Sequence, residues 1–209
     1  MDDPKDILSR FWDQCARLQM DYDLFDGLFM RGNGQIELFQ QVAPMFFADV
    51  HRLLRDSLFL QFCRVTDAPG SRARTNLTTN SLLEVIRWPQ EIRKKLVAVN
   101  ERMMKFREYI EAARSKRIAH ADFRSELDQV TLGKFPAGAD RQFLKDLEEF
   151  LTIAHEHLIG TPVSLSIGMS HDAHAVVRAL VNARLYDTCA KCTPTERAVA
   201  VLDYERDLG

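Results

Sequence analysis

The sequence lacks most features that mark a secreted or membrane-bound protein. Its four cysteines are too few among 209 residues for a dense disulfide framework, so reduced thiols are expected. No apolar run approaches the roughly 20 residues that a membrane-spanning helix requires. The N-terminal segment MDDPKDILSR is acidic and has no apolar core of the kind found in signal peptides. These absences predict a cytoplasmic globular protein without membrane contact.

A strong overall charge is also lacking, because the formal net charge is only −2. The charges are nevertheless unevenly distributed. Between Arg87 and Arg124, eleven Lys/Arg residues stand against five Asp/Glu residues, whereas residues 1–26 carry a net −4. A basic segment in an acidic protein indicates either a patch that binds an anion or a solvated helix face. Composition alone leaves both interpretations open.

Strand patterns are nearly absent, since only Val163–Ile167 alternates and it is too short to build a sheet. Asp3 followed by Pro4 predicts the start of a first helix, and Arg31–Gln35 (RGNGQ) predicts a turn. The next predicted helix is Gln35–Thr66, whose start could instead lie near Pro44 with a separate turn before it. A short helix capped by Ser81 with Glu84 follows and ends at Trp88. The remaining predicted helices are Gln90–His120, Gln142–Ile159, Asp172–Tyr186 and Thr193–Leu208.

The predicted fold class is therefore all-α, a helical bundle built on an antiparallel pair of long helices, Pro44–Thr66 and Gln90–His120. The expected organisation is an N-terminal helix and turn over residues 1–34 and a helical bundle over residues 35–160. Residues 161–209 are expected to form a helical extension packed on that bundle.

The long helix predicted from Gln90 changes chemistry along one face. Its apolar positions follow spacings of three and four: Leu96, Val99, Met103, Phe106, Ile110 and Ala113. The same rhythm continues to Arg117 and His120, with Arg114 on the shoulder of the stripe. Two interpretations stay open: a helix end that leaves the core with favourable cations and a histidine cap, or a site that faces a cleft or a second subunit.

The segment Arg114-Ser-Lys-Arg-Ile-Ala-His120 resembles the Arg/His signature of the HEPN superfamily (higher-eukaryote and prokaryote nucleotide-binding). The upstream helix is similar to the abortive-infection U branch of that superfamily. It ends in Val65-Thr66-Asp67, and a basic-Asn-Leu-Thr stretch follows. The ending "KRIAHADF", with His120 and Asp122, is similar to the same branch.

This resemblance implies a homodimeric helical bundle whose two Arg/His motifs face each other, and a metal-independent ribonuclease activity without a cofactor. It implies His120 as the acid/base residue and Arg114 as the group that stabilises the phosphate. The expected RNA contacts are Lys116, Arg117, Arg124, Arg52 and Arg55, and the expected supporting residues are Ser115, Asp122 and Asp56. An antitoxin protein is an expected partner, in a toxin–antitoxin or phage-defence role.

One departure from the family pattern keeps alternatives open. Ser115 follows the arginine where catalytic members often carry Asn, Asp or His. A non-catalytic module that binds RNA or a nucleotide, or a bundle that only binds protein partners, is the alternative.

A metal site is not predicted. Cys189 and Cys192 have metal-ligand spacing, and His171 and His174 lie upstream. One helix between His174 and Cys189 would separate them by about 22 Å, which is too far for a single ion. The role of the two cysteines stays open.

Overall fold

A computed structural model describes residues 3–71, 74–113, 134–165, 170–188 and 195. The elements in these ranges are α1 (Pro4–Phe29), α2 (Asn33–Val42), α3 (Pro44–Val65), β1 (Gly70–Ser71), β2 (Arg74–Thr75), α4 (Thr79–Val85), α5 (Gln90–Ala113), α6 (Ala139–Leu158) and α7 (Ser170–Thr188). The two short strands pair antiparallel, with Gly70 opposite Thr75. The predicted all-α class is confirmed. No helix in the described ranges has both the length and the hydropathy of a membrane span.

The first helix begins where the sequence predicts. The Lys5 backbone N–H donates to the Asp3 carboxylate at 3.0 Å, and Pro4 occupies the first helical position. The turn predicted over Arg31–Gln35 is shorter than expected, because α2 already begins at Asn33. Gly32 adopts a φ of 142°, a backbone conformation that L side chains rarely adopt, and this residue separates the two helices.

The continuous helix predicted over Gln35–Thr66 is wrong. The alternative start near Pro44 is confirmed, but the segment before it is a helix and not the expected turn. The helix α2 ends at Val42, and α3 begins at Pro44. Proline has no N–H to continue the hydrogen bonding of α2, yet its fixed φ suits the first position of a new helix.

The predicted Ser81–Glu84 cap of the short helix is also wrong. Thr78 is the cap: its hydroxyl accepts from the Ser81 N–H at 3.0 Å. The Ser81 hydroxyl in turn accepts from the Thr78 N–H at 2.9 Å. Ser81 therefore performs the reciprocal role that Glu or Gln performs in the usual capping box. The helix ends at Val85, short of the predicted Trp88.

The chain divides into two compact units. The first comprises Met1–Gln19 and Asp56–Ser166, and the second comprises Met20–Arg55 and Ile167–Gly209. Both α1 and α3 supply residues to each unit. The division predicted from the sequence runs along the chain in three segments and stays a prediction.

The first unit has α5 at its centre. Arg102 of α5 bonds to Asp146 and Glu149 of α6. Phe106, four residues later on α5, lies 5.3 Å from the Phe143 ring of α6, so the two helices run antiparallel. The α3 helix joins the same core through Phe62, whose ring centroid lies 5.2 Å from that of Phe106.

The second unit has its own core, in which α2 packs on α7. The Phe39 and Phe47 rings stack with centroids 4.0 Å apart. The buried members of this core are Leu28, Leu38, Phe39, Phe47, Ala173, Val177 and Val181. Burial of these apolar side chains stabilises the unit through the hydrophobic effect.

Candidate functional site

The apolar stripe of α5 is buried as its spacing predicts. Leu96, Val99, Met103, Phe106 and Ile110 are each 4% exposed or less. The part of the predicted site that follows α5 lies outside the described residues: Arg114, Ser115, Lys116, Arg117, His120, Asp122 and Arg124. The structure therefore defines the helix that leads to the Arg/His motif.

Three predicted site residues lie on the described part of α3. The Arg52 side chain is half exposed and donates to the Asp49 carboxylate at 3.3 Å, one turn away on the same helix. Arg55 and Asp56 are partly buried. The expected contacts of Arg52 and Arg55 with RNA, and the supporting role of Asp56, stay predictions.

The last two turns of α5 carry a cluster that the sequence analysis missed. The Arg107 guanidinium donates to Asp67 at 2.8 Å and to Glu111 at 3.1 Å. It also donates to the Cys63 carbonyl oxygen at 3.3 Å, in the last turn of α3. We name Asp67, Arg107 and Glu111 the arginine clamp, because its central cation ties the end of α3 to α5.

The arginine clamp satisfies a cation that is mostly withdrawn from water. The Arg107 side chain is only 10% exposed, and an unpaired charge there would be costly. Burial lowers its pKa, but hydrogen bonds and charges from Glu111 and Asp67 outweigh that effect and raise the pKa of Arg107. Because a raised pKa favours the charged form of a base, Arg107 stays cationic at every pH below the ordinary arginine range.

Polar side chains of α4 and α5 also hold the turn after α3. Asn80 donates to the backbone carbonyls of Thr66 at 2.9 Å and Asp67 at 3.1 Å. Asn100 of α5 donates to the Asn80 side-chain oxygen at 2.8 Å and accepts from the Thr79 hydroxyl at 2.6 Å. We name Thr79, Asn80 and Asn100 the amide network. It fixes the backbone that presents the Asp67 carboxylate to Arg107.

A second arginine on α5 binds two carboxylates of α6. The Arg102 Nε donates to Asp146 at 2.8 Å, and its Nη2 donates to Glu149. Gln142 also donates to Asp146, at 3.1 Å. The hydrogen bond that Arg102 donates to Asp146 is the main reason that the pKa of Arg102 is raised. This arrangement holds α5 against α6.

The sequence contained a signal for Arg107 that pattern analysis did not use. Arg107 follows Met103 by four residues, which places it about 40° from Met103 around the helix and within the buried stripe. A cation within a buried stripe requires an acidic partner. Asp67 was singled out by the family resemblance, but its partner lies 40 residues further along the chain.

The described ranges contain no group of three or more His, Cys, Asp or Glu residues placed to hold a metal ion. His171 and His174 lie in the first turns of α7 and are exposed. Cys189 and Cys192 lie outside the described residues, so their role stays open.

Comparison with known proteins identifies the family. The family model HEPN_AbiU2, described as AbiU2, matches residues 1–178. The searches of curated proteins and of solved structures gave no match. The matched range includes the turn at Asp67, the whole of α5 and the Arg114–His120 motif. The chain belongs to the AbiU2 family of the HEPN superfamily, as its helical fold and Arg/His motif predict.

Proposed function

We propose that this protein is a metal-independent ribonuclease of the HEPN type, with Arg114 and His120 as its catalytic residues. The observation that carries the proposal is the family match over residues 1–178, which includes the Arg-x5-His motif. The buried stripe of α5 supports it, because a regular packed helix leads directly to that motif.

The proposed chemistry uses the RNA itself as the nucleophile. The 2′-hydroxyl attacks the adjacent phosphorus, and the bond to the 5′-oxygen of the next nucleotide breaks. His120 relays the proton of the 2′-hydroxyl or of the leaving oxygen, a task suited to an imidazole with an ordinary pKa of about 6.5. Arg114 stabilises the charge that gathers on the phosphoryl oxygens. Lys116, Arg117 and Arg124 contact the RNA backbone in this proposal.

The distribution of charge supports an anionic substrate. In the basic segment Arg87–Arg124, Arg102 and Arg107 are already matched by carboxylates. The cations Arg114, Lys116, Arg117 and Arg124 follow, with only Asp122 as an acidic residue among them. A cluster with such a surplus attracts the phosphates of RNA and makes binding dependent on salt.

We further propose that the protein acts as a homodimer in which the two Arg/His motifs share one site, as a toxin or phage-defence component with an antitoxin partner. Mass measurement in solution tests the first part. A charge reversal, Arg117→Glu, is expected to weaken the dimer and to lower cleavage with it. A monomeric wild-type protein with full activity would contradict the shared site.

The central experiment is cleavage of single-stranded RNA in EDTA. We expect the wild type to cleave and His120→Ala to lose about 10²–10⁴-fold in rate, the usual contribution of a general acid or base. Arg114→Ala is expected to lose about 10²–10³-fold. The matched control is His171→Ala, which removes an exposed histidine from α7 and is expected to keep the wild-type rate.

The outcomes separate the proposal from its alternative. Full activity in His120→Ala would remove this histidine from the mechanism. RNA binding without any product, lost in the Arg114→Ala/Arg117→Ala double variant and weakened by salt, would instead establish a non-catalytic binding module. If the protein neither binds nor cleaves RNA, the remaining interpretation is a helical bundle that acts only through protein partners.

A further inference from the structure

We propose that Arg107 is a positioning residue, which sets where α5 presents the Arg/His motif by locking the last turns of this helix to the end of α3. The inference rests on the proposed ribonuclease function. It is drawn from the arginine clamp and the amide network, which lie on described residues before the motif.

The arginine clamp lies just before the Arg/His motif in the chain. Arg107 and Glu111 occupy the last two turns of α5, which ends at Ala113. Arg114 follows Arg107 by seven residues. The clamp therefore fixes the turns of α5 that immediately precede the motif in the chain, and misplacement of reacting groups by about 1 Å costs on the order of 10²-fold in rate.

The contacts of Arg107 depend on the geometry of its guanidinium group. One guanidinium joins three acceptors: the Asp67 carboxylate, the Glu111 carboxylate and the Cys63 carbonyl oxygen. Only a planar group with several fixed donors meets all three at once, since an ammonium is a single flexible point charge. The contacts with Asp67 and Cys63 reach the turn after α3 and the last turn of α3, so they fix α5 in position and in rotation.

Stability does not require a cation at position 107. Buried ion pairs are often replaced by apolar residues without loss of stability, since desolvation offsets much of their attraction. A leucine or methionine at position 107 would continue the apolar stripe between Met103 and Ile110. A buried cation in its place instead restricts the packing to the one arrangement that meets its acceptors.

The turn that carries the acceptor Asp67 is itself held in place. Asn80 holds the carbonyls of Thr66 and Asp67, and Asn100 of α5 holds Asn80. Thr79 and Thr66 are fully buried, and Asn100 is 7% exposed. The same turn is thus tied to α5 twice, by Asn100 and, seven residues later, by Arg107. A satisfied buried polar network of this kind gives rigidity to the groups that it contacts.

The test is Arg107→Lys, which keeps the positive charge and leaves no carboxylate without a nearby cation. We expect a folded protein in which kcat for RNA cleavage falls by about 10–100-fold, the cost of a small misplacement, while KM changes less than threefold. The matched control is Arg102→Lys, the same substitution five residues earlier at a half-exposed position that faces α6. Its kcat is expected to stay within twofold of the wild type.

Hydrogen exchange supplies a readout that does not depend on cleavage. Faster exchange is expected in Arg107→Lys at the amides of residues 107–113 and 63–67, and not in Arg102→Lys. Equal loss of kcat in the two variants, or unchanged exchange in Arg107→Lys, would overturn the positioning role.

The two proposals fail in different ways. A wild type that cleaves no RNA in EDTA would overturn the ribonuclease, and hence positioning for cleavage, while exchange still decides whether the clamp fixes α5. A wild type that cleaves, beside an Arg107→Lys variant with unchanged kcat, would overturn the positioning role alone. If Arg107→Lys fails to fold, Asp67→Asn takes its place, since it leaves Arg107 paired with Glu111 and the same loss of kcat is expected.

Discussion

Arg102 and Arg107 lie five residues apart on α5, and they meet their carboxylates in opposite ways. At Arg102 the cation is 42% exposed and the acid Asp146 is only 4% exposed. At Arg107 the cation is 10% exposed, whereas Asp67 is 16% and Glu111 is 53% exposed. The buried member is therefore the acid in the first cluster and the base in the second.

This difference indicates that the Arg102 cluster and the arginine clamp have different roles, although both pair an arginine with carboxylates. A long arginine side chain that reaches over from the surface satisfies the buried acid Asp146, and its stem tolerates a range of geometries. A buried guanidinium has no such freedom, because each of its acceptors must be placed around it. The Arg102 cluster therefore serves mainly to satisfy α6, whereas the arginine clamp fixes the geometry of α5 against α3.

The largest expected effect comes from the core that supports both clusters. Phe106 lies between the two arginines in sequence, and its ring contacts those of Phe62, Phe135 and Phe143. We expect Phe106→Ala to lower the free energy of unfolding by about 3–5 kcal/mol, because it leaves a cavity in a packed aromatic cluster. Urea unfolding measures the change.

Tyr109→Ala is the control for this loss, since Tyr109 lies on the same helix and is 45% exposed. Its expected cost is below about 1 kcal/mol. A similar cost for both variants would show that the aromatic cluster around Phe106 stabilises the fold no more than an exposed tyrosine does.

An intermediate loss of unfolding free energy is expected for substitution of Arg102. The Arg102→Met variant leaves the buried Asp146 carboxylate with the hydrogen bond that Gln142 donates at 3.1 Å. The expected cost in unfolding free energy is about 1–3 kcal/mol, the penalty for a poorly satisfied buried acceptor.

Adding Asp146→Asn to Arg102→Met tests whether the lost stability comes from the unpaired Asp146 charge. The added change removes the charge that was left without its cation, so part of the lost free energy should return. A double variant less stable than Arg102→Met alone would show that Asp146 does not depend on Arg102 for its charge. Thermal and urea unfolding of the three proteins measure the coupling.

The parts of the molecule that the sequence predicted are those decided by local chemistry. The start of α1 at Asp3-Pro4 and the buried stripe from Leu96 to Ile110 depend on neighbouring residues, and both are confirmed. The cap of α4 was predicted at Ser81, although Thr78 holds it, because the Thr78–Ser81 and Ser81–Glu84 pairs have the same three-residue spacing.

The arginine clamp could not be predicted in the same way. Its contacts join Asp67 to Arg107 across 40 residues, and only the packing of α3 on α5 brings them together. The spacing of the apolar stripe pointed to Arg117 and His120, and the family resemblance identified Arg114 and His120 as an Arg/His motif. Arg114 follows Arg107 by seven residues, so the arginine clamp lies on the helix that precedes the motif in the chain.

The smallest expected effect on stability belongs to Arg52, which extends the comparison to an exposed pair. Its guanidinium and the Asp49 carboxylate are 51% and 67% exposed at a distance of 3.3 Å. Arg52→Ala is expected to change the unfolding free energy by less than about 0.5 kcal/mol, since water and salt screen such pairs.

Affinity for RNA gives Arg52 a readout separate from stability. If Arg52 contacts the RNA backbone, Arg52→Ala weakens binding and lowers the slope of log affinity against log salt by about 0.7. Asp49→Ala is the control, because it breaks the same ion pair and keeps the cation. Unchanged affinity and slope in Arg52→Ala would exclude Arg52 from the RNA interface and leave phosphate binding to the cations that follow α5.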